Sequence, residues 1–243
     1  MQRHFFQHFM FIAMQRSAFI FDMDGVLTDN MRLHANSWIE LFRDFGMEGM
    51  DADRYLKETA GMKGVDVLRY FLGQSISAEE AERLTEFKDF LYRVTSRNKI
   101  TPLTGLQPFL EQAQQQAIPM GIGTGASPKN IDYVLELLEL EQTFQALVDP
   151  SQVSNGKPHP DIFLRVASLL GAEPQHCIVF EDALPGIEAA RRAGMQCVAI
   201  TTTNNADEFR HFDNVLAIVN HFQELTPQGL LMLLTEKQNT LVA

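Results

Sequence analysis

The chain has 243 residues, of which 45% are hydrophobic and 21% are charged, and its formal net charge is −11. These proportions are typical of a globular protein that is long enough to bury a substantial core. The acidic balance argues against a nucleic-acid surface, and no segment reaches the roughly 20 apolar residues of a membrane span. We therefore expect neither nucleic acid nor a membrane as a partner.

The N-terminal segment and the cysteines bear on the cellular compartment. Residues 9–14 could pass for a short signal-peptide core, but cleavage there would leave almost nothing before the first predicted strand. Residues 14–16 repeat the Met-Gln-Arg of residues 1–3, so we expect residues 1–13 to be a loose extension. Cys177 and Cys197 lie in apolar runs and are expected to be buried free thiols of a cytoplasmic protein.

Two carboxylates follow the first apolar run of the chain. Residues 18–21 predict a buried strand, and Asp22, Asp24 and Gly25 come directly after it. Open α/β sheets bind their ligands at the carboxyl ends of their strands, which is where both acids would lie. One acid there can act as a nucleophile while the other passes protons to and from the reacting oxygen. The alternative is an ordinary acidic turn after a strand.

The next part of the chain has helical periodicity and no strand-like alternation. It extends from residue 30 to residue 98, which is longer than a simple crossover connection. Ser77 and Glu80 have the spacing of a capping box that opens a helix. We predict a small all-helical insert, a cap, over residues 30–98.

From residue 102 onward, short apolar runs alternate with amphipathic ones. The predicted strands are residues 119–124, 146–148, 177–181, 196–201 and 216–219. The predicted helices lie around residues 106–116, 128–140, 160–170, 184–193 and 221–235. This alternation indicates a doubly wound (Rossmann-like) parallel α/β sheet formed by residues 14–29 and 99–243. The functional pocket should lie between this core and the cap.

Three further signals follow later strands. The turn at residues 121–127 contains Thr124 among small residues whose amides can approach a phosphate, although Gly-Thr-Gly is also ordinary turn chemistry. Lys157 precedes a proline ahead of a helix, where a solvated loop lysine is the plain alternative. Glu181 and Asp182 end a buried run and could either cap the next helix or bind magnesium.

Taken together, these motifs resemble those of the haloacid dehalogenase (HAD) superfamily, and the likeness extends from Phe19 to about Thr201. The similarity is greatest to the subgroup of β-phosphoglucomutase and related sugar phosphatases, which also carry a helical cap after the first motif. Asp24 is present, whereas dehalogenases and phosphonatases of this superfamily lack the second acid. The resemblance implies an enzyme that transfers phosphoryl groups.

The resemblance also implies the catalytic roles. Asp22 would attack phosphorus to form an aspartyl-phosphate, and Asp24 would act as acid and then base. Lys157 would bridge Asp22 and the phosphoryl oxygens, while Thr124 would bind the other oxygens together with the turn that follows it, Gly125 and Ala126. The substrate would be a small phosphorylated metabolite. Nothing in the sequence requires more than a monomer, so we expect one.

A magnesium ion is implied by the same likeness, because a carboxylate must approach an anionic phosphate. The resemblance places Mg²⁺ on the carboxylates of Asp22 and Asp182 and on the backbone carbonyl of Asp24. Glu181 is a further candidate, through water.

Substrate choice would belong to the cap. His34 and Lys88 match positions of β-phosphoglucomutase that are linked to its substrate, with a polar helix position and a solvated lysine as the plain alternatives. Trp38 also matches, but packing explains it. Where the mutase pattern has an arginine for a second phosphate, this chain has Gly64, and Lys63 could substitute only as a point charge. We therefore predict a phosphatase, with a β-phosphoglucomutase as the alternative and a non-catalytic HAD-fold binding protein as a remote one.

Overall fold

The protein is described by a computed structural model over residues 17–59, 64–73 and 75–242. Six strands of this described chain form one parallel sheet in the order β3-β2-β1-β4-β5-β6: β1 (Ala18–Phe21), β2 (Met120–Gly123), β3 (Ala146–Val148), β4 (Cys177–Glu181), β5 (Gln196–Ile200) and β6 (Val215–Val219). The order reverses beside β1, so ligands are expected at its carboxyl end. The predicted doubly wound fold is confirmed.

The central strand β1 is apolar on both faces. Phe19 and Phe21 point to one face, where Phe180 of β4 packs parallel to Phe21 with ring centroids 4.5 Å apart. Ala18 and Ile20 point to the other face and join a second apolar cluster. Because neighbouring side chains alternate across the sheet, a strand covered on both sides has an unbroken apolar sequence.

Within residues 30–98, the described chain forms four helices: α1 (Met31–Asp44), α2 (Ala52–Thr59), α3 (Gly64–Leu72) and α4 (Ala78–Ser96). They enclose an apolar cluster of their own, which includes Trp38, Phe42 and Leu68. Ser77 caps α4, since its Oγ accepts a hydrogen bond of 3.1 Å from the amide of Glu80. The expected absence of strands in this region holds for the residues that are described.

The remaining helices cover the two faces of the sheet: α5 (Leu106–Gln115), α6 (Pro128–Leu138), α7 (Asp161–Leu170), α8 (Leu184–Arg192), α9 (Ala206–Phe209) and α10 (Pro227–Val242). None of the helices within the described ranges is both long and apolar enough to cross a bilayer.

The predicted last helix, residues 221–235, is wrong at both ends. A 3₁₀ turn occupies Phe222–Glu224, and α10 starts at Pro227 and continues to Val242. The hydroxyl of Thr226 accepts a hydrogen bond from the amide of Gly229 at 3.2 Å, and a proline is favoured at the first helical position. The prediction also missed α9, although Asn205 and Glu208 form a capping box there.

Candidate active site

The side chains of three strand ends meet at the carboxyl edge of the sheet. The register pairs Phe21 with Phe180, so the residues that follow, Asp22 and Glu181, are neighbours. Lys157 reaches both of them: its Nζ donates to Asp22 Oδ1 at 2.8 Å and to Glu181 Oε1 at 2.6 Å. A lysine predicted from a loop motif is therefore in contact with the predicted nucleophile.

Glu181 is fixed by its surroundings. Its second oxygen, Oε2, accepts hydrogen bonds of 3.0 Å from the amides of Asp182 and Ala183. Gly186 of α8 leaves the space that the carboxylate occupies, because a Cβ at this position would lie 1.7 Å from Glu181 Oε1. Both oxygens of Glu181 are thus engaged by the protein itself, and its predicted role in metal binding stays a prediction.

Asp182 lies against the turn that carries the two N-terminal acids. Gly25 has a φ of +81°, and a Cβ there would lie 1.9 Å from Asp182 Oδ2, so both the conformation and the close approach require glycine. The hydroxyl of Thr203 donates to the same Oδ2, and that of Thr202 donates to the carbonyl of Gly25 at 2.6 Å. These contacts fix Asp182 beside Gly25.

Asp22, Glu181 and Asp182 form what we call the carboxylate cluster. One oxygen from each lies within 4.8 Å of the others, and all three residues are buried. Burial raises the pKa of Asp22 to about 7, although Lys157 works against this, and burial followed by the charge of Glu181 raises the pKa of Asp182. Three acids therefore share one ammonium. A buried all-oxygen site with excess negative charge suits a hard divalent cation.

Asp24 points away from the cluster, toward α1. Its Oδ1 accepts a hydrogen bond of 2.6 Å from Asn30 Nδ2, and its Oδ2 lies 3.5 Å from Nε2 of His34. Burial works to raise the pKa of Asp24, but His34, Asn30 and Lys88 together hold that pKa below its usual value. The two acids of the motif are thus in opposite electrostatic environments.

Thr124 follows β2 at the same edge of the sheet, since the register pairs Phe21 with Ile122. It is buried, and its Oγ1 accepts a hydrogen bond of 3.2 Å from the amide of Ala126. The hydroxyl proton of Thr124 is left to donate to another acceptor. Gly125, between them, is exposed.

Two of the three cap residues predicted to bind substrate lie in the described part of the chain. His34 and Lys88 lie beside Asp24, with 3.3 Å between His34 Nδ1 and Lys88 Nζ. The ammonium of Lys88 lies 5.2 Å from the ring centre of the buried Trp38. Lys63 lies outside the described residues. We call Asp24, His34, Lys88 and Asp89 the cap-facing group.

Sequence reasoning missed several residues that support these side chains. Asn30 also donates to the hydroxyl of Tyr92 at 2.7 Å, and Tyr92 stacks on His34 with ring centroids 3.7 Å apart. Asp89 pairs with Lys88 and accepts from Ser127. Their only sequence signal is helical spacing: Lys88, Asp89 and Tyr92 fall on one side of α4.

Residues 17–194 match the family model of the haloacid dehalogenase-like hydrolases. The chain belongs to this family, and it is an enzyme. It is 32% identical over 203 residues to validoxylamine A 7'-phosphate phosphatase from Streptomyces hygroscopicus subsp. limoneus, covering 81% of this chain and 91% of that protein. It is also 32% identical over 189 residues to β-phosphoglucomutase from Bacillus subtilis, covering 75% and 82%.

Among solved structures, the fold is similar to that of a HAD hydrolase, family IA, variant 3, from Entamoeba histolytica. The TM-score is 0.84 at 27% identity, over 90% of this chain and 99% of that one. These similarities confirm the family resemblance that the motifs indicated.

Proposed function

We propose that this enzyme is a Mg²⁺-dependent phosphatase that hydrolyses a small phosphorylated metabolite, specifically a sugar phosphate, through an aspartyl-phosphate on Asp22. The observation that carries the proposal is the contact of Asp22 with Lys157 inside the carboxylate cluster, while Asp24 is held separately toward the cap. Phosphoryl transfer needs these two acids in different roles.

In the first half-reaction, an oxygen of Asp22 forms a bond to phosphorus as the bond from phosphorus to the leaving oxygen breaks. Lys157 fixes the carboxylate of Asp22 and offsets charge on the phosphoryl oxygens, and Glu181 orients Lys157. Thr124 donates its free hydroxyl proton to a phosphoryl oxygen, beside the amides of Gly125 and Ala126.

Asp24 transfers a proton in each of the two steps. It protonates the leaving oxygen in the first step. In the second step it removes a proton from water as the water oxygen bonds to phosphorus and the bond from phosphorus to Asp22 breaks, which releases phosphate. Because its pKa is held low in the absence of substrate, Asp24 is ready as a base and must acquire its proton as the substrate binds. Asn30 and His34 hold the carboxylate on the side from which the leaving group departs.

The carboxylates of Asp22 and Asp182 and the carbonyl of Asp24 would hold the Mg²⁺. When bound, the ion would offset the negative charge of the cluster and of the phosphoryl group. Glu181 would support Lys157 and contact the metal only through water, because both of its oxygens are engaged.

Gly64 supports a phosphatase over a mutase. A mutase passes through a bisphosphate and gains from an arginine that grips the second phosphate. At Gly64, the first residue of α3, a Cβ would lie 2.7 Å from Cγ2 of Thr85, so an arginine would require the side chain of Thr85 or the helix backbone to shift. The similarity to the Bacillus subtilis mutase keeps β-phosphoglucomutase as the second candidate.

We further propose that residues 30–98 act as a cap over a catalytic core of residues 14–29 and 99–243. We also propose that the enzyme functions as a monomer, since the proposed mechanism needs no group beyond those named above. Cys177 and Cys197 are both buried free thiols, which supports a reducing, cytoplasmic location.

Phosphorus NMR with Mg²⁺, β-glucose 1-phosphate and a trace of glucose 1,6-bisphosphate tests the proposal. A phosphatase releases inorganic phosphate steadily, and a screen of sugar phosphates then ranks the substrates. Conversion to glucose 6-phosphate without free phosphate would instead establish the mutase. An enzyme that releases phosphate from no phosphorylated metabolite would contradict both.

A further inference from the structure

A row of polar side chains joins α4 of the cap to α6 of the core. The row has helical spacing on α4, and each member contacts the N-cap or a residue in the first two turns of α6. The pairs are Asp89 with Ser127 (3.0 Å), Arg93 with Asn130 (2.7 Å), Ser96 with Tyr133 (2.9 Å) and Glu86 with Lys129 (2.6 Å). We call these eight residues the α4–α6 joint. It begins directly after the turn that contains Thr124, so it fixes α4 relative to the proposed phosphate site.

Asp89 is the member of the joint that reaches into the proposed site. Its Oδ1 lies 2.5 Å from Nζ of Lys88, while its Oδ2 is held by Ser127. Lys88 and Asp89 are only 6% and 5% exposed, so water screens the pair little. The charge of Lys88 is therefore neutralised within the protein, at a position fixed by the joint.

The leaving group of the substrate has to lie next to this pair. Asp24 protonates the leaving oxygen in the proposed mechanism, and His34 connects Asp24 to Lys88 through separations of 3.5 and 3.3 Å. Among the described residues of the cap-facing group, Lys88 is balanced by Asp89 and Asp24 adds a negative charge. A second phosphate on the leaving group would be repelled there, whereas sugar hydroxyls could bind by hydrogen bonds.

We infer that Asp89 is a specificity-determining residue, which pairs with Lys88 and so restricts the enzyme to monophosphates with an uncharged, hydroxylated leaving group. Bisphosphates are rejected because, among the described residues, the cap-facing group offers no unpaired ammonium to a second phosphate. The inference rests on the proposed phosphatase function and names the substrate class of that site.

The test compares two inhibitors of p-nitrophenyl phosphate hydrolysis, fructose 1-phosphate and fructose 1,6-bisphosphate, in the full-length protein with Mg²⁺. Asp89→Asn removes the charge but keeps the shape and an oxygen that can accept from Ser127. We expect the wild-type enzyme to bind the monophosphate more tightly. In Asp89→Asn, the ratio of the two inhibition constants should shift toward the bisphosphate by about tenfold, the effect of one poorly screened charge. Glu82→Gln, an exposed position on α4, is the matched control and should leave the ratio unchanged.

An unchanged ratio in folded Asp89→Asn, or equal binding of both inhibitors by the wild type, would overturn the inference. If Asp89→Asn does not fold, Lys88→Gln tests the same pair from the other side, and the ratio should then move further toward the monophosphate. If the wild type hydrolyses neither p-nitrophenyl phosphate nor any sugar phosphate, the proposed function fails by itself. The two fructose phosphates would then be compared by calorimetric binding, which still decides the role of Asp89.

Discussion

The carboxylate cluster and the cap-facing group differ in how their charges are balanced. Among the described residues, the ammonium of Lys157 is shared by Asp22, Glu181 and Asp182, and the pKa of Asp22 rises to about 7 through burial. In the cap-facing group, Lys88 has its own partner in Asp89, and the pKa of Asp24 is lowered despite burial. The cluster is thus arranged to receive a cation, whereas the cap-facing group is already balanced. In the proposed mechanism, the cluster binds the cation and the cap-facing group selects the substrate.

Removing Asp22 should have the largest effect. We expect Asp22→Asn to lower kcat by at least about 10⁴-fold, because a carboxamide cannot attack phosphorus. Phosphate release measured with a sugar phosphate and with p-nitrophenyl phosphate checks this result. Asp132→Asn, an exposed aspartate on α6, provides the control. If Asp22→Asn retains a tenth of the wild-type activity, Asp22 is not the nucleophile.

The same variant also tests the charge imbalance of the cluster. Burial raises the pKa of Asp22 from 3.8 to about 7, so the folded wild type holds that proton more tightly than the unfolded chain does. The resulting contribution to the free energy of unfolding is present below about pH 4 and is lost as the pH rises to about 7. Denaturant unfolding in EDTA should therefore show a smaller loss of stability over this range in Asp22→Asn. If the free energy of unfolding changes equally with pH in the two proteins, the pKa of Asp22 is not raised.

Removing the metal tests whether the carboxylate cluster binds a cation. EDTA should lower kcat by about 10³-fold, equivalent to several kcal/mol of stabilisation of the transition state, and Mg²⁺ should restore it. Binding to the folded state alone should also raise Tm by a few degrees. Asp182→Asn should lose this rise, while Asp89→Asn should keep it. If both variants keep the full rise, Asp182 is not a ligand.

Asp24→Asn should separate substrates by their leaving groups. We expect kcat/KM to fall by about 10²- to 10³-fold for a sugar phosphate, whose leaving oxygen needs a proton. For p-nitrophenyl phosphate, whose leaving oxygen needs none, kcat/KM should change much less. Steady-state kinetics on both esters checks this expectation, and equal losses would mean that Asp24 does not act as the acid.

Lys88→Ala should have the smallest effect. The KM for a good sugar phosphate should rise by about tenfold, while the kinetics of small artificial esters stay nearly unchanged. Lys57→Ala, an exposed lysine on α2, is the control. If both types of ester suffer equally, the cap does not select the substrate through Lys88.

The carboxylate cluster could be predicted from the sequence because its residues lie at or directly after the ends of two apolar strands, β1 and β4. Parallel strands bring their carboxyl ends to one edge, so Asp22, Glu181 and Asp182 had to meet once the strands were recognised. The contacts of the cap-facing group could not be predicted this way. Asp89 of this group contacts Ser127, 38 residues away, and its supporting residues Asn30 and Tyr92 are 62 residues apart. These contacts depend on the packing of helices whose relative angles the sequence does not reveal.

Gly25 and Gly186 lie against the carboxylates of Asp182 and Glu181, so the addition of a single methyl group at either glycine should disrupt the site. At Gly25 a methyl would displace the carboxylate of Asp182, and at Gly186 it would displace that of Glu181. Every chemical group of the site would still be present in Gly25→Ala or Gly186→Ala, yet the oxygens could no longer occupy their places. In a random mutagenesis screen, these two positions would be as intolerant as the aspartates themselves. Intolerance to substitution in this enzyme would therefore mark the space that the proposed catalytic groups need as well as the groups themselves.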